Sequence, residues 1–217
     1  MYKSEECCLI GFLHAMEIFS MENKNNFCNF VVETYNNIKY KMKNIIAFAG
    51  SSSKNSINKQ LAEYTAGLLN DARTEVLDLN DFPVPIYSID EEIANGIPQN
   101  AVAFLNKIQM SDGVVLSLAE HNGNFSAAFK NMFDWMSRIQ KNLWNQIPML
   151  LMSTSPGGNG AKSVLGIAKN GFPHMGGNII ADFSLPNFNA NFLEGRLIND
   201  SLKDELLEAV SKFEKVI

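Results

Sequence analysis

The sequence predicts a doubly wound α/β fold around a five-stranded parallel sheet, on the strength of three observations. Short apolar runs alternate along the chain with segments whose apolar residues recur at helical spacing. Two of these runs, 113–118 and 147–154, carry no charge, as is typical of strands buried on both faces. The chain of 217 residues is 46% hydrophobic, which suits a globular core. Alternating strands and helices predict a three-layer α/β/α sandwich.

Each element follows from the local pattern. The strands are predicted at residues 45–49, 74–79, 113–118, 147–154 and 178–183. Helices are predicted at 57–68, 102–108, 126–139, from 160 to just before Pro173, and at 200–213. The segment 81–98 is predicted as a long loop because Pro83, Pro85 and Pro98 interrupt it.

The strand order is predicted from absent motifs. Neither GxGxxG nor GxxxxGK[ST] occurs in the sequence, which disfavours a dinucleotide-binding fold and a P-loop. The remaining common order is the flavodoxin-like 2-1-3-4-5. In that order a ligand lies outside the carboxyl ends of the strands, where strands one and three diverge.

Composition excludes several classes of function. The net charge of −5 argues against a nucleic-acid-binding surface, and no apolar run reaches the roughly 18 residues that a membrane span needs. Cys7, Cys8 and Cys28 include no CxxC pair, so we expect a protein of the reducing cytoplasm. No GxSxG elbow occurs, and the three histidines lack metal-ligand spacing, so neither a hydrolase nor a metal site is predicted.

The first 41 residues differ from the rest. They are rich in asparagine and weakly periodic, and Glu5, Glu6 and His14 argue against a secretory signal. We expect residues 42–217 to form the domain and residues 1–41 an N-terminal extension. That extension is either translated upstream of a native start at Met42 or a lineage-specific helix that covers part of the domain.

The loop after the first strand, "GSSSKNS", leads into a helix N-terminus, where free N–H groups favour an anion. It predicts a phosphate-binding loop formed by Ser51, Ser53, Ser56 and Asn58, with Lys54 as a possible charge. The alternative is an ordinary serine N-cap after a polar turn.

The loop after the third strand, "AEHNGNFS", would lie opposite the first at the divergence point. His121, Asn122 and the Gly123 backbone could meet the polar edge of a planar heterocycle. The alternative is an Asn-Gly turn followed by a helix cap at Ser126.

The loop after the fourth strand, "STSPGGNGAKS", contains Pro156, Gly157 and Gly158. These residues predict a tight turn without side chains that a flat ring could approach closely. The alternative is a plain connection between a strand and a helix.

Three segments carry a family resemblance: "MKNIIAFAGSSSKNSINKQLA", "AEHNGNFSAAFKNMFDWMS" and "STSPGGNGAKSVL". In this order and spacing, they resemble the NADPH-dependent FMN reductase family, flavodoxin-like flavoenzymes that include quinone and chromate reductases. The resemblance covers Met42 to the C-terminus, and the middle motif, E-[YH]-N-G…K-N…D-W, is the most specific.

The resemblance implies an FMN site with three groups of residues. Those implied at the phosphate are Ser51, Ser53, Ser56 and Asn58; those along the isoalloxazine are Glu120, His121, Asn122 and Gly123; those flanking it are Ser155, Gly157 and Gly158. Many members have arginine at the position of Ser53, so Lys54 is the candidate for the missing charge. Many have tyrosine at the position of His121, which bears on substrate preference.

The resemblance also implies a mechanism. NAD(P)H passes hydride to flavin N5 and leaves, and an acceptor such as a flavin, a quinone or another small oxidant then takes the electrons in a ping-pong cycle. Because the flavin carries the chemistry, no catalytic acid, base or nucleophile is predicted. No clamp for a 2′-phosphate can be located, so NADPH and NADH both stay open.

Two further alternatives stay open. The family implies a homodimer or homotetramer, and five large side chains could form an association face or pack in the core; they are Met132, Phe133, Trp135, Met136 and Trp144. The alternative function is a flavodoxin-like electron carrier without NAD(P)H turnover. Such carriers are usually strongly acidic, whereas this chain is only mildly so.

Overall fold

Five parallel strands form the central sheet in the part of the chain that the structure, a computed structural model, describes, residues 42–217. The strands are β1 Lys43–Gly50, β2 Ala72–Leu77, β3 Gly113–Leu118, β4 Pro148–Thr154 and β5 Asn178–Leu185. Their order is β2-β1-β3-β4-β5, and every neighbouring pair is parallel. The predicted fold and strand order are confirmed. The predicted extension, 1–41, lies outside the described residues.

Helices cover both faces of the sheet. They are α1 Ile57–Ala66, α2 Ile89–Asn95, α3 Gln99–Gln109, α4 Ala127–Ile139, α5 Lys162–Gly171, α6 Phe188–Asn191 and α7 Asp200–Glu214. Alternate β1 residues serve the two faces: Ile46 and Phe48 pack with α3, α4 and α5, whereas Ile45 and Ala47 pack with α1 and α7. This alternation follows from the two-residue period of a strand and produces the predicted three layers.

The large side chains on and after α4 belong to the core. Trp135, Met136 and Trp144 are fully buried, and Met132 and Phe133 are buried as well. The Trp135 indole N–H donates to the Pro85 carbonyl at 2.7 Å, so burial leaves that group satisfied. Of the two alternatives for these side chains, core packing is therefore the one observed, and they are not available as an association face.

The predicted long loop 81–98 is wrong in part, because it contains α2. Ser88 caps this helix by accepting a hydrogen bond from the Glu91 N–H at 3.0 Å, and Asp90, Glu91 and Glu92 lie in its first turn. The prolines flank the helix rather than interrupt it. The Ser88-x-x-Glu91 pattern is a capping-box signature, and with Ile89 and Ile93 four positions apart it was an available signal for this helix.

Two smaller elements also differ from the prediction. Strand β2 begins at Ala72, two residues before the predicted start, and pairs with β1 from Lys43 onward. A short hairpin pairs 192–193 with 196–197 across Glu194 and Gly195, which have φ of 49° and 75°. Such a pair of positive φ angles is what a two-residue hairpin loop requires.

Candidate functional site

The loops after β1, β3 and β4 begin side by side at one edge of the sheet. Gly50, the last residue of β1, is in register with Leu118, the last residue of β3. Leu118 is in turn in register with Ser153 of β4. The three predicted site loops are therefore neighbours at the carboxyl ends of parallel strands, where ligands bind in this class of sheet.

The serine loop after β1 forms a capped turn at the start of α1. Ser51 Oγ accepts from the Ser53 N–H at 3.2 Å, and Ser56 Oγ caps α1 by accepting from the Lys59 N–H at 3.2 Å. The serine N-cap is thus present. This cap satisfies the third N–H of the helix, that of Lys59. The first two N–H groups, those of Ile57 and Asn58, have no acceptor within the helix and point out of its first turn. These N–H groups, with exposed Ser53 beside them, make a surface suited to an anion.

The Asn58 side chain is turned inward rather than toward the loop. Its Oδ1 accepts from Ser117 Oγ at 2.8 Å and from the Thr154 N–H at 3.1 Å. Its Nδ2 donates to the Thr154 carbonyl at 3.3 Å, and the residue is 3% exposed. These contacts turn the side chain away from the serine loop, so the predicted phosphate contact of Asn58 is left to its backbone N–H. Asn58 instead joins α1 to the ends of β3 and β4, and its backbone N–H stays at the helix N-terminus.

The loop after β3 is a two-residue hairpin. Strand 120–121 pairs with 124–125, and the turn residues Asn122 and Gly123 have φ of 52° and 73°. The alternative that the sequence offered, an Asn-Gly turn before a cap at Ser126, is present: Ser126 Oγ accepts from the Phe129 N–H at 3.2 Å. His121, Asn122 and Gly123 are all exposed, so a planar ligand could still reach them.

Glu120 makes a contact that the sequence did not predict. It is half-buried, and its Oε2 accepts from the Val164 N–H in the first turn of α5 at 3.0 Å. The carboxylate therefore joins the hairpin to the helix that follows the third loop.

The loop after β4 presents backbone to the surface. Ser155 Oγ donates to the Gly157 carbonyl at 3.2 Å, and Gly157 and Gly158 are exposed. A Cβ added at Gly157 would meet no atom within 4 Å, and the same is true at Gly123. Open space therefore lies over both turns.

Each pair of the three loops is connected by a side chain. Ser126 Oγ donates to the Gly50 carbonyl at 2.7 Å and joins the first loop to the second. Glu120 joins the second loop to the first turn of α5, which follows the third, and Asn58 joins the first turn of α1, which follows the first loop, to Thr154 at the start of the third. Buried or half-buried side chains therefore fix the relative positions of the loops before any ligand binds.

A polar cluster outside the predicted residues supports the serine loop. Asn80 Nδ2 donates to the Ser52 carbonyl at 3.1 Å, and the Asn80 N–H donates to Asp78 Oδ1 at 2.9 Å. Asp78 also pairs with Lys59 of α1 at 2.8 Å. Sequence reasoning missed these residues because no motif marks them, although their position just after β2 places them at the same edge of the sheet.

The pKa values of this ion pair move apart. Burial acts to raise the pKa of Asp78, but hydrogen bonds from Lys59 and Asn80 outweigh it and hold that pKa below its usual 3.8. The hydrogen bond to Asp78 raises the pKa of Lys59 above its usual 10.5, against a smaller effect of burial. The stabilisation is therefore fully present between these usual values. It is lost as pH falls through the depressed carboxyl pKa or rises through the elevated ammonium pKa.

We expect Asp78→Asn to lower the free energy of unfolding at pH 7 by about 0.5–1 kcal/mol, since the pair is only partly buried. The difference from the wild type should shrink as pH falls below 3.8. Urea unfolding between pH 7 and pH 3 measures it. A difference that is the same at both ends of this range would show that the ion pair is not its source.

Two kinds of feature are absent from residues 42–217. No helix there combines the length and the apolar character needed to cross a bilayer. No group of three or more His, Cys, Asp or Glu side chains in the same range is arranged to hold a metal ion.

The strand order and the three loops at one edge of the sheet define a protein of the flavodoxin-like class. The family model for NADPH-dependent FMN reductase matches residues 43–190, most of the described domain. The chain belongs to the NADPH-dependent FMN reductase family, a family of oxidoreductases, and the resemblance inferred from the sequence is confirmed.

Named relatives agree with this assignment. An NADPH:quinone oxidoreductase of Arabidopsis thaliana is 30% identical over 123 residues, covering 55% of this chain and 61% of that protein. A 2-hydroxy-1,4-benzoquinone reductase of Burkholderia sp is 32% identical over 118 residues, covering 54% and 62%. The chain thus spans about three fifths of the length of these curated relatives.

A solved structure agrees as well. FerB, a flavoenzyme NAD(P)H:(acceptor) oxidoreductase from Paracoccus denitrificans, superposes with a TM-score of 0.62 at 25% identity. The alignment covers 80% of this chain and 98% of FerB.

Proposed function

We propose that residues 42–217 bind FMN and act as an NAD(P)H-dependent oxidoreductase that reduces a small acceptor. The observation that carries the proposal is the arrangement of the loops after β1, β3 and β4. A capped helix N-terminus lies beside two turns that expose backbone, and side chains hold all three together. Membership of the NADPH-dependent FMN reductase family supports the same activity.

The residues present fit FMN. Its phosphate would meet the N–H groups of Ile57 and Asn58 and the hydroxyls of Ser51 and Ser53, with Lys54 as the nearby cation. The open space over Gly123 and Gly157, where even a Cβ would touch nothing, would admit a flat ring against the backbone. The cation matters because the family resemblance implies an arginine at the position of Ser53.

FMN, when bound, supplies the hydride chemistry at its N5. The protein's part is to bind the phosphate, to orient the ring and to leave one face open to a nicotinamide and then to an acceptor, as a ping-pong cycle requires. The names of the relatives favour a quinone as that acceptor. His121, exposed on the hairpin, would border the acceptor.

The oligomeric state and the location of the protein are further expectations. We expect a homodimer or homotetramer, because the family resemblance implies one. We also expect the protein in the cytoplasm, because the cysteine pattern favours a reducing compartment. Ile86, Ile89 and Ile93, exposed on α2 and the residue stretch before it, provide apolar surface for such contacts.

The test is anaerobic reduction of the FMN-loaded protein. We expect NADPH or NADH to bleach the flavin absorbance within seconds, and a quinone added afterwards to restore it. A protein that holds FMN but stays yellow until an external reductase is added would instead be an electron carrier, and the oxidoreductase proposal would be wrong. A comparison of NADPH with NADH at equal concentration decides the preferred donor.

A further inference from the structure

Helix α5 begins without a cap from its own neighbourhood. The residue at its N-cap is Ala161, which is held at φ 60° and has no side-chain oxygen to accept a hydrogen bond. The first N–H groups of a helix have no partner inside it, so they require an acceptor from elsewhere. Val164, whose side chain is fully buried, carries one of these N–H groups.

That acceptor comes from a different loop. Glu120 Oε2 accepts from the Val164 N–H at 3.0 Å, across 44 positions of the chain. The carboxylate is also favourably placed for the positive end of the helix dipole. It acts as an N-cap supplied by the hairpin to a helix that lacks one.

The rest of the hairpin fixes the orientation of Glu120 relative to α5. Glu120 pairs with Phe125 in the hairpin ladder, so its backbone is fixed. Phe125 stacks on Phe172, just beyond the end of α5, with ring centroids 5.9 Å apart. The stack gives the hairpin apolar contact near one end of α5, and Glu120 fixes it at the other.

We propose that Glu120 is a positioning residue for FMN, acting by capping α5 and so holding the 120–125 hairpin against the first turn of this helix, directly after the loop that contains Gly157. The inference rests on the proposed function, because it concerns the two loops expected on either side of the ring. The family resemblance implies that the Glu120 side chain lines the isoalloxazine ring. The role proposed here is indirect and is exerted through the Val164 N–H.

The experiment compares three variants of the full chain by FMN titration of apoprotein, followed by flavin fluorescence. Glu120→Ala removes the cap, and Glu120→Gln keeps an oxygen that can accept from Val164. The matched control is Asn199→Ala, which removes the cap of α7, where Asn199 Oδ1 accepts from the Leu202 N–H at 3.1 Å. Thermal melts establish a temperature at which all are folded, and Glu120→Met replaces the alanine variant if that one does not fold.

We expect the two alanine variants to melt at similarly reduced temperatures, because each loses one helix cap. Only Glu120→Ala should bind FMN more weakly, by about tenfold, or about 1.4 kcal/mol. Glu120→Gln should bind within about threefold of the wild type.

Two results would overturn the inference alone. In the first, the wild type and Glu120→Ala bind FMN equally. In the second, Glu120→Gln binds as weakly as Glu120→Ala, which would mean that the carboxylate charge near the ring matters rather than the cap. A wild type that binds no FMN would remove the proposed function itself, and this inference with it.

Discussion

Replacing Asn58 by alanine is expected to lower the free energy of unfolding by about 2–4 kcal/mol. The Asn58 side chain is buried and makes three hydrogen bonds, two to Thr154 and one to Ser117. Alanine leaves the Ser117 hydroxyl and both Thr154 backbone groups without these partners. Each buried polar group left unpaired costs about 1–3 kcal/mol. Local repacking and water entry keep the total below the simple sum.

Urea unfolding followed by circular dichroism measures this loss. The matched control is Asn106→Ala, because Asn106 is exposed on α3 and the change should stay within about 0.5 kcal/mol. We also expect Asn58→Ala to weaken FMN binding, since the first and third loops lose their connection. An Asn58→Ala protein as stable as the control would contradict the inward orientation of this side chain.

Replacing Ser53 by glutamate is expected to weaken FMN binding by about 100-fold, or about 2.7 kcal/mol. The new carboxylate would lie where the phosphate is proposed to bind, and like charges a few ångströms apart at a protein surface repel by about this much. Ser53 is exposed, so the free energy of unfolding should change little.

Riboflavin provides the sharpest control for this variant, because it carries the same ring without the phosphate. We expect its affinity to be the same for the wild type and Ser53→Glu. Ser201→Glu makes the same change of charge at an exposed position of α7 and should leave the affinity for FMN unchanged. Equal losses for FMN and riboflavin would mean that the serine loop does not bind the phosphate.

The sheet was predictable because its strands are marked by their burial. Strand β3 is buried at all six positions, and an uncharged apolar run is the direct consequence. Strand β2, at the edge of the sheet, is buried only at Leu77. Because its first residues carry no apolar pattern, its start was predicted two residues too late. Helix α2 has no buried residue, and its two isoleucines, Ile89 and Ile93, form only one apolar step of four positions between prolines that predict a loop.

The site was predictable at the level of loops but not of side chains. Motifs and strand ends predicted which three loops meet, because parallel strands place their carboxyl ends at one edge. The orientation of Asn58 was not predictable, since its partners lie 59 and 96 positions away in the chain. The same holds for Glu120 and for the Asp78 cluster, whose roles depend on contacts between distant segments. The FMN contacts themselves stay predictions.

The most direct test of the FMN site is the absorption spectrum of the purified full chain, recorded as isolated and after addition of FMN and removal of the excess. The account predicts flavin bands in at least the second spectrum, at one FMN per chain, that bleach when NADPH is added without oxygen. A protein that stays colourless and retains no added FMN would contradict the assignment of the three loops as a flavin site.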